Sequence, residues 1–179
     1  MNKSRLRVVS GSCRGLRLTT PEGQSVRPTS ERAREGVFNS LGSLDWIDGA
    51  EVLDLFAGSG AMGIEALSRG AQRATFVDSS RDAIDAVKEN LETTGLAESA
   101  RVVRSRADDF LDNQPDMFDL AILDPPYQFT DWPTLLDQVN SRRVVIESKK
   151  EVELIPRWSK VRVRNYGATV VVIAEANGS

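Results

Sequence analysis

Asp54-Leu55-Phe56-Ala57-Gly58-Ser59-Gly60-Ala61-Met62-Gly63 is the stretch that decides how this chain folds. A short apolar run, Val52–Phe56, leads into it, and an apolar stretch at helical spacing, Met62–Ser68, follows it and stops before Gly70. Strand, glycine turn and helix in that order make a βα unit. Gly58, Gly60 and Gly63 satisfy G-x-G-x-x-G, which alone is a weak signal for a dinucleotide. Asp54 selects between ligands. A pyrophosphate on the helix N-terminus is an anion, and a carboxylate four residues ahead repels it. A cofactor carrying an ammonium group is attracted by the same carboxylate. The loop therefore favours S-adenosyl-L-methionine over NAD, with Asp54, Phe56, Ala57, Gly58 and Gly60 as the expected binding residues.

The same alternation continues down the chain. Strands are expected at Ala74–Val77, Arg101–Arg104, Leu120–Leu123 and Arg143–Glu147, with helices at Asp82–Thr93 and Asp108–Leu111 and a two-turn helix around Pro133–Val139. Such βαβα order implies a parallel sheet covered on both faces. Lys160–Arg164 and Thr169–Ala174 flank Asn165-Tyr166-Gly167 and read as an antiparallel hairpin closing the sheet. At the other end, Leu6–Ser10 and Gly15–Thr19 flank Gly11-Ser12-Cys13-Arg14 and read as a β-hairpin. A turn at Pro21–Gln24 follows, then a helix capped by Thr29 or Ser30 and running to Leu41. The expected fold is α/β: a Rossmann-like, doubly wound, seven-stranded sheet with an antiparallel C-terminal strand. Residues 1–45 form an N-terminal hairpin-and-helix extension to a domain at 46–179, the whole being one structural unit.

Composition narrows the chemistry. The 179 residues, 40% hydrophobic and 27% charged, suit one soluble core. The chain has no histidine and a single cysteine, Cys13. That excludes Ser-His-Asp triads, zinc clusters built on cysteine pairs and almost every transition-metal site, so no metal is expected. Cys13 lies far from the glycine loop in sequence, which disfavours C5-pyrimidine methylation through a cysteine nucleophile. The longest charge-free runs, Leu55–Ile64 and Asn165–Ala174, are too short to span a membrane, and no apolar segment follows the first basic residues as in a signal peptide. A cytoplasmic monomer is expected. Charge is uneven: residues 1–34 carry eight basic and two acidic side chains, a net +6, so the remainder holds −9 of the overall −3. A basic arm on an acidic body suits a polyanionic partner at one face.

Two further carboxylates stand at strand ends. Asp78, with Ser79 beside it, closes the second strand twenty residues after Gly58, where a carboxylate can take both ribose hydroxyls; it can also cap the next helix. Ala107-Asp108 closes the third, where the carboxylate can meet an adenine amino group or cap its own short helix.

Asp124-Pro125-Pro126-Tyr127 follows the fourth strand, at the edge where open α/β sheets bind ligands. Two prolines fix the backbone, so the Asp124 side chain and the Pro125 carbonyl keep one geometry. An exocyclic base amine is conjugated with its ring and is a poor nucleophile. Two acceptors can bind both of its hydrogens and aim the nitrogen lone pair at a sulfonium methyl, while Tyr127 stacks on the base.

Asp54–Gly63 and Asp124–Tyr127 resemble motifs I and IV of the class I amino-methyltransferases, which modify adenine N6, guanine N2 or protein glutamine. The stretch Arg27–Leu41, Val9-Ser10-Gly11 and Tyr166-Gly167 resemble the bacterial family that methylates a guanine N2 of 16S ribosomal RNA, and the likeness covers nearly the whole chain. It implies a small-ribosomal-subunit partner and places Arg27, Thr29, Arg32 and Arg34 near the RNA or the cofactor, and it accords with the basic arm, whose Arg14 and Arg17 are expected on the RNA. This chain departs from the family pattern in carrying Asp78 where the longer Glu is expected, and in a short segment from Gln128 to Arg142. Adenine N6 of DNA or RNA is the alternative substrate. An NAD-dependent oxidoreductase and a silent RNA-binding module are rivals from other classes.

Overall fold

In the computed structural model residues 6–21 and 31–178 are described. The elements are α1 (Glu31–Ser43), β1 (Glu51–Leu55), α2 (Ala61–Ser68), β2 (Arg73–Asp78), α3 (Arg81–Thr94), β3 (Ala100–Arg104), α4 (Ala107–Asp112), β4 (Phe118–Leu123), α5 (Trp132–Gln138), β5 (Ser141–Ser148), β6 (Trp158–Tyr166) and β7 (Thr169–Ala176), with one 3-10 turn at Ala97–Ser99. Seven strands form one sheet in the order β3-β2-β1-β4-β5-β7-β6. The first five are parallel, and β7 runs antiparallel to both β5 and β6. The doubly wound sheet with an antiparallel end is the one expected.

Its strands are apolar because both faces are covered. Val52, Phe76, Ile122 and Val145 point into one core layer, whereas Leu53, Leu55, Val77, Ala121 and Leu123 point into the other. That alternation follows from the period of two along a strand. Helix α3 shows how sequence sets an element's limits. The Ser80 side chain accepts from the Ala83 N–H at its start, and Gly95 adopts φ 71° at its end. Between them Ala83, Ile84, Ala86, Val87 and Leu91 are buried along one stripe.

The N-terminal arm departs from the expected hairpin. Its ladder is reduced to one antiparallel bridge, Arg7 to Arg17, with Val8 N donating to Leu16 O (3.0 Å) and Leu18 N to Leu6 O (2.9 Å). The reason lies in where its backbone goes. Val9 N and Ser10 N donate to the Glu65 carboxylate (2.8 and 2.9 Å), Cys13 N to Ser68 Oγ (2.9 Å), and Thr19 N to Asn90 Oδ1 (2.7 Å). Helices α2 and α3 thus take N–H groups that a longer ladder would have used. At Gly11, φ 81°, a Cβ would lie 1.8 Å from Ser68 O, so only glycine permits this approach. Leu6, Val8, Cys13 and Leu18 share one core with α1 and the sheet.

Other boundaries shift for local reasons. Strand β3 stops at Arg104, and Ala107-Asp108 open α4 rather than closing the strand. Strand β6 outruns the expected Lys160–Arg164 at both ends, with a bulge between Lys160 and Arg162. Its polar, half-exposed residues hid it from a search for apolar runs. Most of the Pro21–Gln24 turn and the Thr29 or Ser30 cap lie outside the described residues.

Candidate active site

The C-terminal ends of the parallel strands open into a cleft of about 830 Å³. Its first half is built by the glycine loop. Phe56 N and Ala57 N both donate to Val77 O (3.0 Å each), which pulls the loop back over β2 and leaves Phe56 at φ 69°. A left-handed backbone is uncommon for an aromatic residue, and here it turns Phe56 into the cleft wall. Gly58 also lines the cleft, has φ 56°, and offers no neighbour within 4 Å of a built Cβ, so its open side is available to a ligand.

Gly60 is different. It does not border the cleft; a Cβ there would lie 3.1 Å from Val87 and 3.3 Å from Phe76. Its φ of 77° and core packing explain the glycine, in place of the close cofactor approach expected of it. Ala57 likewise sits behind the wall. Asp54 is also a layer back. It is 3% exposed, and its Oδ2 accepts the Gly63 N–H (2.8 Å) at the start of α2. Burial pushes its carboxyl up to about 7; the Gly63 bond opposes this, while the charges of Asp124 and Asp78 add to it. The carboxylate expected to meet an ammonium group directly lies beneath the loop.

Asp78 is held by two backbone donors, Gly58 N to Oδ2 and Ser80 N to Oδ1, both at 2.9 Å. The helix cap is Ser80, which leaves Asp78 at the cleft with Ser79 beside it. Each of its oxygens has lone-pair capacity left for a hydroxyl. Ala107 and Asp108 border the same end, where Asp108 is exposed and paired with Arg106 (2.7 Å), which holds its carboxyl below the usual range. Open glycine, acceptor carboxylate and apolar Phe56 suit a nucleoside with a charged tail.

The second half of the cleft is Asp124, Pro125, Pro126 and Tyr127. Phe129 N donates to Pro126 O (2.8 Å), closing a turn that turns Phe129 inward. Lys149 Nζ stands over the Tyr127 ring, 4.4 Å from its centre, and Tyr127 is 44% exposed. Sequence reasoning missed the wall between the halves: Phe129 lies 6.0 Å from the Phe56 ring and 5.2 Å from Trp132, edge to face with the latter. Two aromatics in the short segment after Tyr127 were the available signal. Glu147 and Thr169, from β5 and β7, border the cleft as well.

The expected RNA contacts divide. Arg14, Arg17 and Arg32 are exposed, and Arg27 and Thr29 lie outside the described residues. Arg34 is a correction. It is 0% exposed, donates to Arg7 O and pairs with Glu65 at 3.5 Å. Burial lowers its pKa against the pull of Glu65, Glu31 and Glu147. It ties the arm to α2 instead of facing a partner. Among the described residues no group of acidic, histidine or cysteine side chains could hold a metal, and no helix is long and apolar enough to cross a membrane.

A parallel sheet whose strand order reverses beside β1 and that ends in an antiparallel hairpin is the architecture of the class I methyltransferases, and the cleft lies at the carboxyl edge where open α/β sheets bind ligands. Residues 6–175 match the family model described as conserved hypothetical protein 95. The chain is 38% identical to the putative rRNA methyltransferase YlbH of Bacillus subtilis, over 97% of this chain and 100% of that one. It is 34% identical to ribosomal RNA small subunit methyltransferase D of Haemophilus influenzae, over 92% and 91%. The solved structure of the putative methyltransferase yhhF from Escherichia coli superposes with a TM-score of 0.85 at 32% identity, covering 97% of this chain and 99% of that one. The chain belongs to this methyltransferase family.

Proposed function

We propose that this chain transfers the methyl group of S-adenosylmethionine to the exocyclic N2 amine of a guanine in small-subunit ribosomal RNA. The observation that carries the reading is that one cleft is lined both by Asp124-Pro125-Pro126-Tyr127 and by Gly58 and Asp78. The names of the Haemophilus and Bacillus relatives supply the RNA class.

Bound S-adenosylmethionine supplies an electrophilic methyl group. On the protein side, Asp78 holds the ribose hydroxyls, Phe56 and Phe129 cover the nucleoside from water, and Asp54 adds negative charge under the loop. Asp124 Oδ and the Pro125 carbonyl accept the two amine hydrogens, which pyramidalises the nitrogen and frees its lone pair for attack. Asp124 is only partly buried, so the amine proton passes through it to water. Tyr127 stacks on the extruded base. Exposed Arg14, Arg17 and Arg32 hold phosphates around it. The enzyme works as a monomer in the cytoplasm, with residues 1–45 as the substrate-engaging extension.

The test uses small subunits from a strain lacking the gene, labelled S-adenosylmethionine and the purified protein, followed by nucleoside analysis of digested 16S RNA. Label in N2-methylguanosine at one site is the expected result. Label in N6-methyladenosine would move the reading to adenine, and no label in RNA would overturn it.

A further inference from the structure

The loop Asp124–Tyr127 explains how an amine is activated but not how guanine is told from adenine, since either base offers a conjugated amine. A second carboxylate borders the same cleft. Glu147, the penultimate residue of β5, is 3% exposed yet lines the same cavity as Asp124. Leu123 pairs with Ile146 across parallel β4 and β5. The residues that follow each of them, Asp124 just past β4 and Glu147 still within β5, therefore lie side by side on neighbouring strands, with backbones about 5 Å apart. Buried Arg34 stands close enough to feel the Glu147 charge, though Glu65 is its nearer partner.

Base chemistry gives this pair a meaning. Guanine presents an N1–H donor directly next to its N2 amine, so two neighbouring acceptor groups meet donors only. Adenine presents a bare N1 acceptor next to its N6 amine, and a buried carboxylate there faces a lone pair with no hydrogen between. Sites built to hydrogen-bond one edge reject the wrong edge by large factors, because their buried polar groups are left unpaired. We infer that Glu147 is the base-reading residue of this cleft: it accepts the guanine N1–H while Asp124 and the Pro125 carbonyl hold the N2 amine. This rests on the guanine-N2 reading above and assigns its specificity to one side chain.

The experiment compares small subunits reconstituted with either guanine or 2-aminopurine at the mapped target position. 2-Aminopurine keeps the C2 amine but has a bare N1 acceptor. Wild type is expected to prefer guanine strongly in kcat/KM. Glu147→Gln should lower kcat/KM on guanine at least about tenfold and raise the 2-aminopurine-to-guanine ratio by at least about tenfold, because its amide can donate to N1. Glu147→Asp keeps the charge beside Arg34 but withdraws the carboxylate, and should lose guanine preference without gaining 2-aminopurine. Melting temperature and S-adenosylmethionine affinity, read alongside, separate base reading from damage to the fold. A folded Gln variant with the wild-type ratio would overturn the inference, as would failure of both variants to fold, which would assign Glu147 to charge balance alone. Wild type that makes no N2-methylguanosine would sink the parent reading instead.

Discussion

Two buried carboxylates, one within α2 and one just before the loop that leads into it, sit among opposite electrostatic partners. Glu65, within α2, is 0% exposed and surrounded by cations and donors: Arg34 at 3.5 Å, Arg69 at 2.8 Å, and the Val9 and Ser10 N–H groups. Asp54, just before the glycine loop that starts α2, is 3% exposed and has Asp124 and Asp78 for company, with one N–H from Gly63. Burial is alike and the partners are not. The first carboxylate is satisfied by its own chain and fastens the arm to the body. The second is left with an excess of negative charge, which a cationic ligand can neutralise. A charge completed by the fold is architecture, whereas one left incomplete is an invitation to bind.

Breaking the completed side should have the largest effect. Glu65→Ala strands buried Arg34 and two backbone N–H groups, and should cost about 3–5 kcal/mol of stability in a denaturant titration. Arm residues should then become susceptible to proteolysis. If stability fell by under about 1 kcal/mol, the staple would be ornamental.

On the incomplete side, Asp124→Ala should cut methyl transfer by about a hundredfold or more, the scale of losing one oriented polar group, with S-adenosylmethionine affinity within a few-fold. Near-normal turnover on subunits would remove Asp124 from the amine-binding role. The same variant takes a like charge away from Asp54 and should bring its titration down from about 7.

That titration makes a prediction about pH. Asp54 ionises near 3.8 in the unfolded chain and near 7 in the folded one, so between those values only the folded state keeps the proton. Its stabilising contribution is full below 3.8, declines as pH rises to about 7, and is constant above that. Binding of a cation runs the other way. Affinity for S-adenosylmethionine should rise by up to about tenfold per pH unit below 7 and then level off, with proton release in calorimetry at pH 6. Asp54→Asn should flatten the profile; an unchanged slope would show that Asp54 does not sense the ligand.

The smallest effects belong to the exposed arginines. Arg14→Ala and Arg17→Ala should each reduce the salt dependence of subunit binding by about one phosphate contact, with the melting temperature unmoved. Arg34→Ala should do the reverse, lowering stability without a direct change in slope. Equal behaviour of all three would erase the distinction between buried and exposed basic residues of the arm.

What the sequence made legible was contiguous. Strands β1, β2, β4 and β5 are apolar runs, and the glycine and Asp-Pro-Pro-Tyr loops sit directly after two of them, so local pattern sufficed. What it hid depends on residues far apart. Arg34 looked like one more positive charge in a basic segment, because burial against a helix thirty residues onward leaves no local trace. Glu65 lies between Ile64 and Ala66 in an apolar helix; a lone acid at such a place is the one clue that a buried cation exists elsewhere. Gly58 borders the cleft while Gly60 packs against Val87 and Phe76, a difference that spacing alone does not carry. Phe129 and Trp132 meet Phe56 only once the chain is folded, so their shared wall leaves no pattern within the short segment itself.

The bulge in β6 reaches beyond the register of one hairpin. This strand ends the sheet order and carries Lys160, Arg162 and Arg164 along its length, with the irregularity falling between the first two. An edge strand is a template for further strands, and templating needs a flat, uncharged row of backbone groups. Like charges at alternate positions repel a second copy of the same strand, and the bulge twists the row out of line. The chain is thereby guarded against growing its own sheet into a second copy.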